Sequence, residues 1–112
     1  MKKLEIIIKP EKLEDLKEIL DSNAASGVMI TNIMVYGNQK GYKQMYRGNE
    51  YNVNLLPKVK VETVIDRSEA EDLIEKIVAE IQTGNYGDGK IFIHDIEDAV
   101  RIRTGERGTD AL

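Results

Sequence analysis

Cysteine is absent from this chain, which removes disulfides, thiolate nucleophiles and thiolate metal sites from consideration. A reducing compartment fits that absence, and the cytoplasm is the expected location. Long hydrophobic runs are missing too. The apolar stretch within Met1-Lys2-Lys3-Leu4-Glu5-Ile6-Ile7-Ile8-Lys9 is far too short for a signal peptide or a membrane span, and it has the composition of a strand. Nor is there an excess of positive charge: the net charge is −4 with both signs interspersed, so the molecule offers no broad attraction for nucleic acid or anionic lipid. Any anion site must be local. Histidine occurs once, as His94, where an ordinary packed or surface imidazole is expected. No triad, histidine-based metal cluster or Walker phosphate loop can be assembled, which favours non-catalytic binding over catalysis.

What is present is 112 residues, 41% hydrophobic and 32% charged, the length and composition of one globular domain. So small a domain leaves much of its surface uncovered, and packing against identical copies is a direct route to stability. Leu4, Ile6 and Ile8 alternate up to Pro10 and predict a first strand. Leu13, Leu16, Ile19 and Leu20 then recur at helical spacing until the polar Asp21-Ser22-Asn23. A second strand is expected over Val28 to Tyr36, and a third over Val59 to Ile65. In the third, Val59, Val61, Thr63 and Ile65 share one face, with Lys60, Glu62 and Val64 on the other. Ser68-Glu69-Ala70-Glu71 has the form of a capping box with Ser68 as the cap, and opens the strongest helical stripe: Ala70, Leu73, Ile74, Ile77, Val78 and Ile81. Ile91 to Ile96 supplies a fourth strand, and a short helix is expected around Glu97 to Val100.

The order βαββαβ with right-handed crossovers predicts an α+β, ferredoxin-like fold, with both helices on one face of a four-stranded antiparallel sheet. The other face, with Lys60, Glu62 and Val64, suits a partly polar surface against neighbouring subunits. Between the second and third strands, residues 37 to 55 show neither helical nor strand periodicity. Connections longer than about 12–15 residues without internal structure are usually functional or disordered, and a long hairpin is the alternative.

Two places have the chemistry of an anion site. Thr83-Gly84-Asn85-Tyr86-Gly87-Asp88-Gly89-Lys90 can present several backbone N–H groups to one point, with Lys90 as a point charge at its end. The alternative is a helix C-cap at Gly84 and a plain turn at Asp88-Gly89. In Arg101-Ile102-Arg103, an extended backbone would aim both guanidinium groups the same way, as a polyphosphate clamp or as an exposed salt-bridging edge. Lys90, Arg101, Arg103 and Arg107 fall close together in sequence, and a solvated charged face is their ordinary reading.

Several segments taken together resemble the PII signal-transduction family of nitrogen regulators. They are Met1-Lys2-Lys3-Leu4-Glu5 to Ile8-Lys9-Pro10, Gly37-Asn38-Gln39-Lys40-Gly41, Tyr46-Arg47-Gly48-Asn49-Glu50-Tyr51 and Leu56-Pro57-Lys58-Val59-Lys60-Val61-Glu62. In the C-terminal third, Thr83-Gly84, Gly87-Asp88-Gly89-Lys90-Ile91-Phe92, Val100-Arg101-Ile102-Arg103-Thr104-Gly105-Glu106 and Asp110-Ala111-Leu112 match most closely. The resemblance implies a non-enzymatic homotrimer holding ATP or ADP in clefts between subunits. Gly87, Asp88, Gly89, Lys90, Arg101 and Arg103 would meet the phosphates, Ile7, Glu62 and Val64 would border the nucleoside, and Gly37 and Gln39 would close the cleft. Met29, Val35 and Asn38 also fall at nucleotide positions, but depart from the threonine, glycine and arginine common there.

The resemblance further implies 2-oxoglutarate binding with Mg²⁺ and ATP, through Gln39, Lys40, Gly41 and Lys58, with Gln39 helping to hold the metal. The alternative is that Gln39 and Lys58 are simply solvated loop residues. Tyr51 matches a loop tyrosine that is uridylylated in some relatives. Implied partners are an ammonium channel, a nitrogen-metabolism enzyme or a regulatory kinase, with a membrane approached only through the channel. The rival expectations are a PII-like sensor of adenine nucleotides alone, a slow nucleotide hydrolase on the same scaffold, and an oligomeric metal-binding scaffold.

Overall fold

The computed structural model describes residues 1–23, 25–37, 43–46, 49–52 and 55–112, and of 43–46 and 49–52 the backbone alone. β1 (Lys2–Ile8) leads through a 3-10 turn, Pro10–Lys12, into α1 (Leu13–Ser22). Pro10 has no amide hydrogen to give a ladder, and its fixed φ suits the first helical position, so the strand ends where the sequence places its end. β2 (Val28–Tyr36), β3 (Lys43–Tyr46), β4 (Asn49–Asn52) and β5 (Leu55–Ile65) follow, then α2 (Arg67–Ile81) and β6 (Lys90–Asp95). The main sheet has the order β2-β5-β1-β6 with every neighbouring pair antiparallel, which is the ferredoxin-like arrangement.

One face of this sheet carries the core. Leu4, Ile6 and Ile8 of β1 and Val59, Val61 and Ile65 of β5 pack against Leu16, Ile19 and Leu20 of α1 and Ala70, Leu73, Ile77 and Ile81 of α2. Leu16 is fully buried, and truncating such a leucine to alanine costs about 2–5 kcal/mol through lost transfer energy and the cavity left behind. Thr63 lies among these apolar groups without penalty, because its hydroxyl donates to the Gly27 carbonyl at 2.8 Å.

The opposite face is ionic. Lys3 Nζ lies 3.0 Å from Glu62, Lys60 lies 3.7 Å from Glu62 and 3.9 Å from Glu5, and His94 Nε2 lies 3.7 Å from Glu5. The Lys3 hydrogen bond holds the Glu62 carboxyl below its ordinary range, and Glu62 in turn raises Lys3. His94 is a partly exposed imidazole, as expected of a lone histidine on an outer strand.

Several boundaries differ from the sequence expectation. The third strand of the main sheet starts at Leu55 rather than Val59 and runs through Pro57. Proline is tolerated there because β1 ends at Ile8, opposite Val59, leaving β5 beyond that point with only β2 beside it. The cap of α2 is Asp66, not Ser68: the Asp66 carboxylate accepts from the Ser68 amide at 2.9 Å and from its hydroxyl at 2.8 Å. Residues 97–100 form no helix; Val100 instead bridges to Arg107. Within the long connection, β3 and β4 pair antiparallel, so the hairpin alternative describes that part of it.

Candidate functional site

The glycine loop between α2 and β6 is closed by its own aspartate. Asp88 Oδ2 accepts from the Thr83 amide at 2.7 Å and the Gly84 amide at 3.0 Å, and Oδ1 accepts from the Thr83 hydroxyl at 2.6 Å. The Asn85 amide donates to Thr83 Oγ1 at 3.2 Å. These bonds, the Thr83 hydroxyl foremost, hold the Asp88 carboxyl below the usual carboxylate range. The helix C-cap is Gln82, so Gly84 lies beyond it and belongs to the loop. With the amides of Thr83, Gly84 and Asn85 committed, those of Gly87, Asp88 and Gly89 donate to no acceptor among the described residues.

Two contacts fix this second half of the loop. At Gly89, φ is +109°, and a Cβ built there would sit 1.7 Å from the Ile7 carbonyl oxygen, so only glycine lets the loop lie against β1. Behind Gly87, the Lys58 ammonium donates to the Gly87 carbonyl at 2.6 Å. Lys58 is 6% exposed and sits on β5, which excludes the alternative of a solvated loop lysine. Burial first, then the Lys9 charge, pushes its pKa below the ordinary lysine value, while Glu11 and Asp88 pull the other way. Lys90 is the first residue of β6, opposite Ile7 on β1. An apolar cavity of about 420 Å³ borders the loop on the α2 side, walled by Ile8, Ile77, Ile81 and Ile91. Gln82, Asp88, Gly89 and Lys90 complete its rim, so the polar groups of the cavity are those of the glycine loop itself.

The C-terminal arginines are arranged differently from the expected clamp. Residues 102–104 form a turn, not an extended segment, inside a hairpin in which the Arg101 amide donates to the Glu106 carbonyl at 2.9 Å and the Gly108 amide to the Ala99 carbonyl at 3.0 Å. Arg101 donates to Glu106 Oε1 at 3.1 Å and to the Leu112 carbonyl at 2.9 Å. Arg107 donates to Asp98 at 2.7 Å, so both have the salt-bridging role that charge runs usually have. Arg103 is exposed and makes no ion pair among the described residues. No hydrogen bond or ion pair joins these arginines to the glycine loop among those residues.

Other predicted positions are spread across the ionic face and its edge. Met29 is exposed and lies opposite Glu62; Ile7 and Val64 are half-buried; Val35 pairs with Leu56 near the end of β2, with Gly37 just beyond. Asn38, Gln39, Lys40 and Gly41 lie outside the described residues, and Tyr51 is described only as a backbone pairing with Gln44. No group of metal-binding side chains occurs among the described residues, and no helix is long and apolar enough to cross a membrane. Sequence reasoning missed Thr83 as the partner that closes the loop, although the spacing Thr83 to Asp88 around two glycines carries that signal. The Lys58 bond to Gly87, 29 positions away, leaves no local trace in the sequence.

Comparison with known proteins places the chain. A family model for nitrogen regulatory protein P-II matches residues 1–106. Proteins named nitrogen regulatory protein P-II are similar over their full length and that of this chain: 53% identical in Rhodospirillum rubrum, 51% in Rhizobium meliloti and 48% in Pasteurella multocida, each over 112 residues. The chain therefore belongs to the P-II nitrogen regulatory family, and is a non-enzymatic signal-transduction protein of nitrogen regulation.

Proposed function

We propose that this chain forms a homotrimer that binds ATP or ADP in clefts between subunits, takes up 2-oxoglutarate with Mg²⁺ and ATP, and transmits the result to a target through residues 37–55. The observation that carries the reading is the run of three amides, Gly87 to Gly89, that meet no acceptor among the described residues and are braced against β1 and β5. Uncommitted amides on a fixed backbone suit phosphate oxygens, which need donors already in place. Lys90 adds a cation at the end of the loop. Arg101 and Arg103 make no bond to the loop of their own chain, which fits a cleft whose second wall comes from a neighbouring copy. Ile7, Met29, Val35, Gly37, Asn38, Gln39, Glu62 and Val64 complete the nucleotide side.

For the oxoacid, Lys58 supplies a buried ammonium whose one acceptor among the described residues is neutral, a setting in which a carboxylate would offset the desolvated charge. Gln39, Lys40 and Gly41 would join it, and Gln39 would offer the metal its side-chain oxygen. When bound, Mg²⁺ would supply positive charge to offset that of the nucleotide and the oxoacid, with Gln39 as the residue that would hold it. Ligands that favour one arrangement of the loop base shift what the target meets, by linkage. The target is an ammonium channel, met from the cytoplasm, a nitrogen-metabolism enzyme or a regulatory kinase, and Tyr51 is the candidate for nucleotidyl modification.

Calorimetry tests this directly. Titration with ATP and with ADP is expected to give saturable heat, and with Mg-ATP present 2-oxoglutarate should add heat that Gln39→Ala abolishes. Nucleotide binding without an oxoglutarate response would favour a sensor of adenine nucleotides alone; indifference to both nucleotides at millimolar concentration would end the reading.

A further inference from the structure

We propose that Lys58 is also a positioning residue for the nucleotide's phosphates: by holding the Gly87 carbonyl it aims the Asp88 amide before any oxoacid arrives. The inference rests on the phosphate-loop reading above and deepens it. Three features of the chain carry it. First, the Gly87 carbonyl and the Asp88 N–H belong to one planar peptide unit, so fixing the direction of the first fixes that of the second. The 2.6 Å bond from Lys58 Nζ is such a fixture. Second, Gly87 has a φ of +91° in the turn at Tyr86-Gly87 and lies next to Tyr86, which is fully exposed, and Lys58 is the one side chain that bonds its carbonyl among the described residues. A peptide beside a glycine can turn over at small steric cost, and the lysine bond opposes that rotation.

Third, the anchors elsewhere on the loop act on different atoms. Asp88 ties the Thr83 and Gly84 amides, and the Ile7 carbonyl abuts Gly89, while the Gly87 carbonyl has Lys58 as its one partner among the described residues. Lys58 stands in the β2–β5 ladder opposite Ile33, so its stem starts from a fixed backbone. An ammonium has three N–H donors, and among the described residues one is used. The tether and a carboxylate ligand can therefore share the same nitrogen, and the oxoacid and phosphate subsites meet at one atom.

The test uses the full chain with ADP alone, without Mg²⁺ or oxoacid. Lys58→Met is expected to weaken ADP binding about tenfold, the scale of one charge-assisted hydrogen bond, and to speed hydrogen exchange at the Asp88 amide of the ligand-free protein. Lys58→Arg should keep most of the affinity. Equal ADP affinity in the parent and Lys58→Met, or unchanged exchange at Asp88, overturns the tether while leaving the nucleotide site intact. A parent that binds no ADP would instead overturn the phosphate-loop reading, and this role of Lys58 with it.

Should Lys58→Met fail to fold by circular dichroism, the pH profile decides between parent and Lys58→Arg. Lys9, Glu11 and Asp88 face Lys58, and its net shift is downward. The parent's affinity should then fall relative to the arginine variant as pH rises, with the loss setting in below the ordinary lysine value of about 10.4, because arginine stays charged there. Parallel profiles overturn the proposal.

Discussion

The glycine loop and the C-terminal arginine turn are built alike at their centres and unlike at their edges. Each is clasped by one aspartate: Asp88 takes the Thr83 and Gly84 amides, and Asp98 takes the Ala99 amide at 2.8 Å, the Gly108 amide at 3.1 Å and Arg107. The glycine loop, however, is pressed onto the sheet at Ile7 and tied to Lys58. In the turn, Ile102 is fully exposed and Gly105 has open space around it, so the turn has its own hydrogen bonds and little else. A donor array braced from outside meets a ligand ready-made. Arg101, already engaged with Glu106 and Leu112, must exchange partners to meet one.

The sharpest way to break this contrast is at the glycines. Gly89→Ala forces a Cβ onto the Ile7 carbonyl at a positive φ, and a loss of about 3 kcal/mol or more in urea unfolding is expected. Gly105→Ala has the same backbone problem at φ +74° but no clash, so it should cost only about 1 kcal/mol in the same assay. Equal losses would show that the loop is no better braced than the turn. A smaller effect is expected from Glu106→Gln, which removes the charge competing for Arg101; ADP should bind roughly twofold tighter by calorimetry if Arg101 meets phosphate.

The smallest effect is confined to acid. Asp88 and Asp98 both have folded-state pKa values below the ordinary one, chiefly through the Thr83 hydroxyl and the Ala99 amide respectively. A depressed carboxyl contributes stability that is present above its unfolded value, about 3.9, and is lost as pH falls through the folded one. Asp88→Asn and Asp98→Asn should each flatten the acid limb of a thermal melting profile below about pH 4 and leave its slope near pH 7 unchanged.

The sheet and both helices were legible because periodicity reports burial directly: Leu4, Ile6 and Ile8, and Ala70, Leu73, Ile77 and Ile81, are core residues in the structure as in the pattern. The cap of α2 was ambiguous because Asp66 and Ser68 both suit that role, and only the geometry shows Asp66 as acceptor and Ser68 as donor. The start of β5 was hidden by Pro57, whose tolerance depends on where β1 ends, a fact of the neighbouring strand. The glycine loop could be recognised as an anion candidate by composition, but which of its amides remain uncommitted follows from Asp88 turning back on Thr83. The turn at the arginine pair was not legible because alternation of charges carries no signal for a turn when the segment buries nothing.

β5 runs past three parts of the molecule: the hairpin of β3 and β4, the glycine loop and the ionic face. Its first residue, Leu55, receives the chain from the hairpin of β3 and β4; Lys58 lies three positions on; Glu62 lies four beyond that. Leu55 and Lys58 are about 10 Å apart on an extended strand, and unbroken pairing with β2 from Leu55 to Thr63 makes the stretch a stiff rod. A pull on its outer tip that leaves the ladder whole must therefore be felt by both side chains at once, with no hinge between them to absorb it.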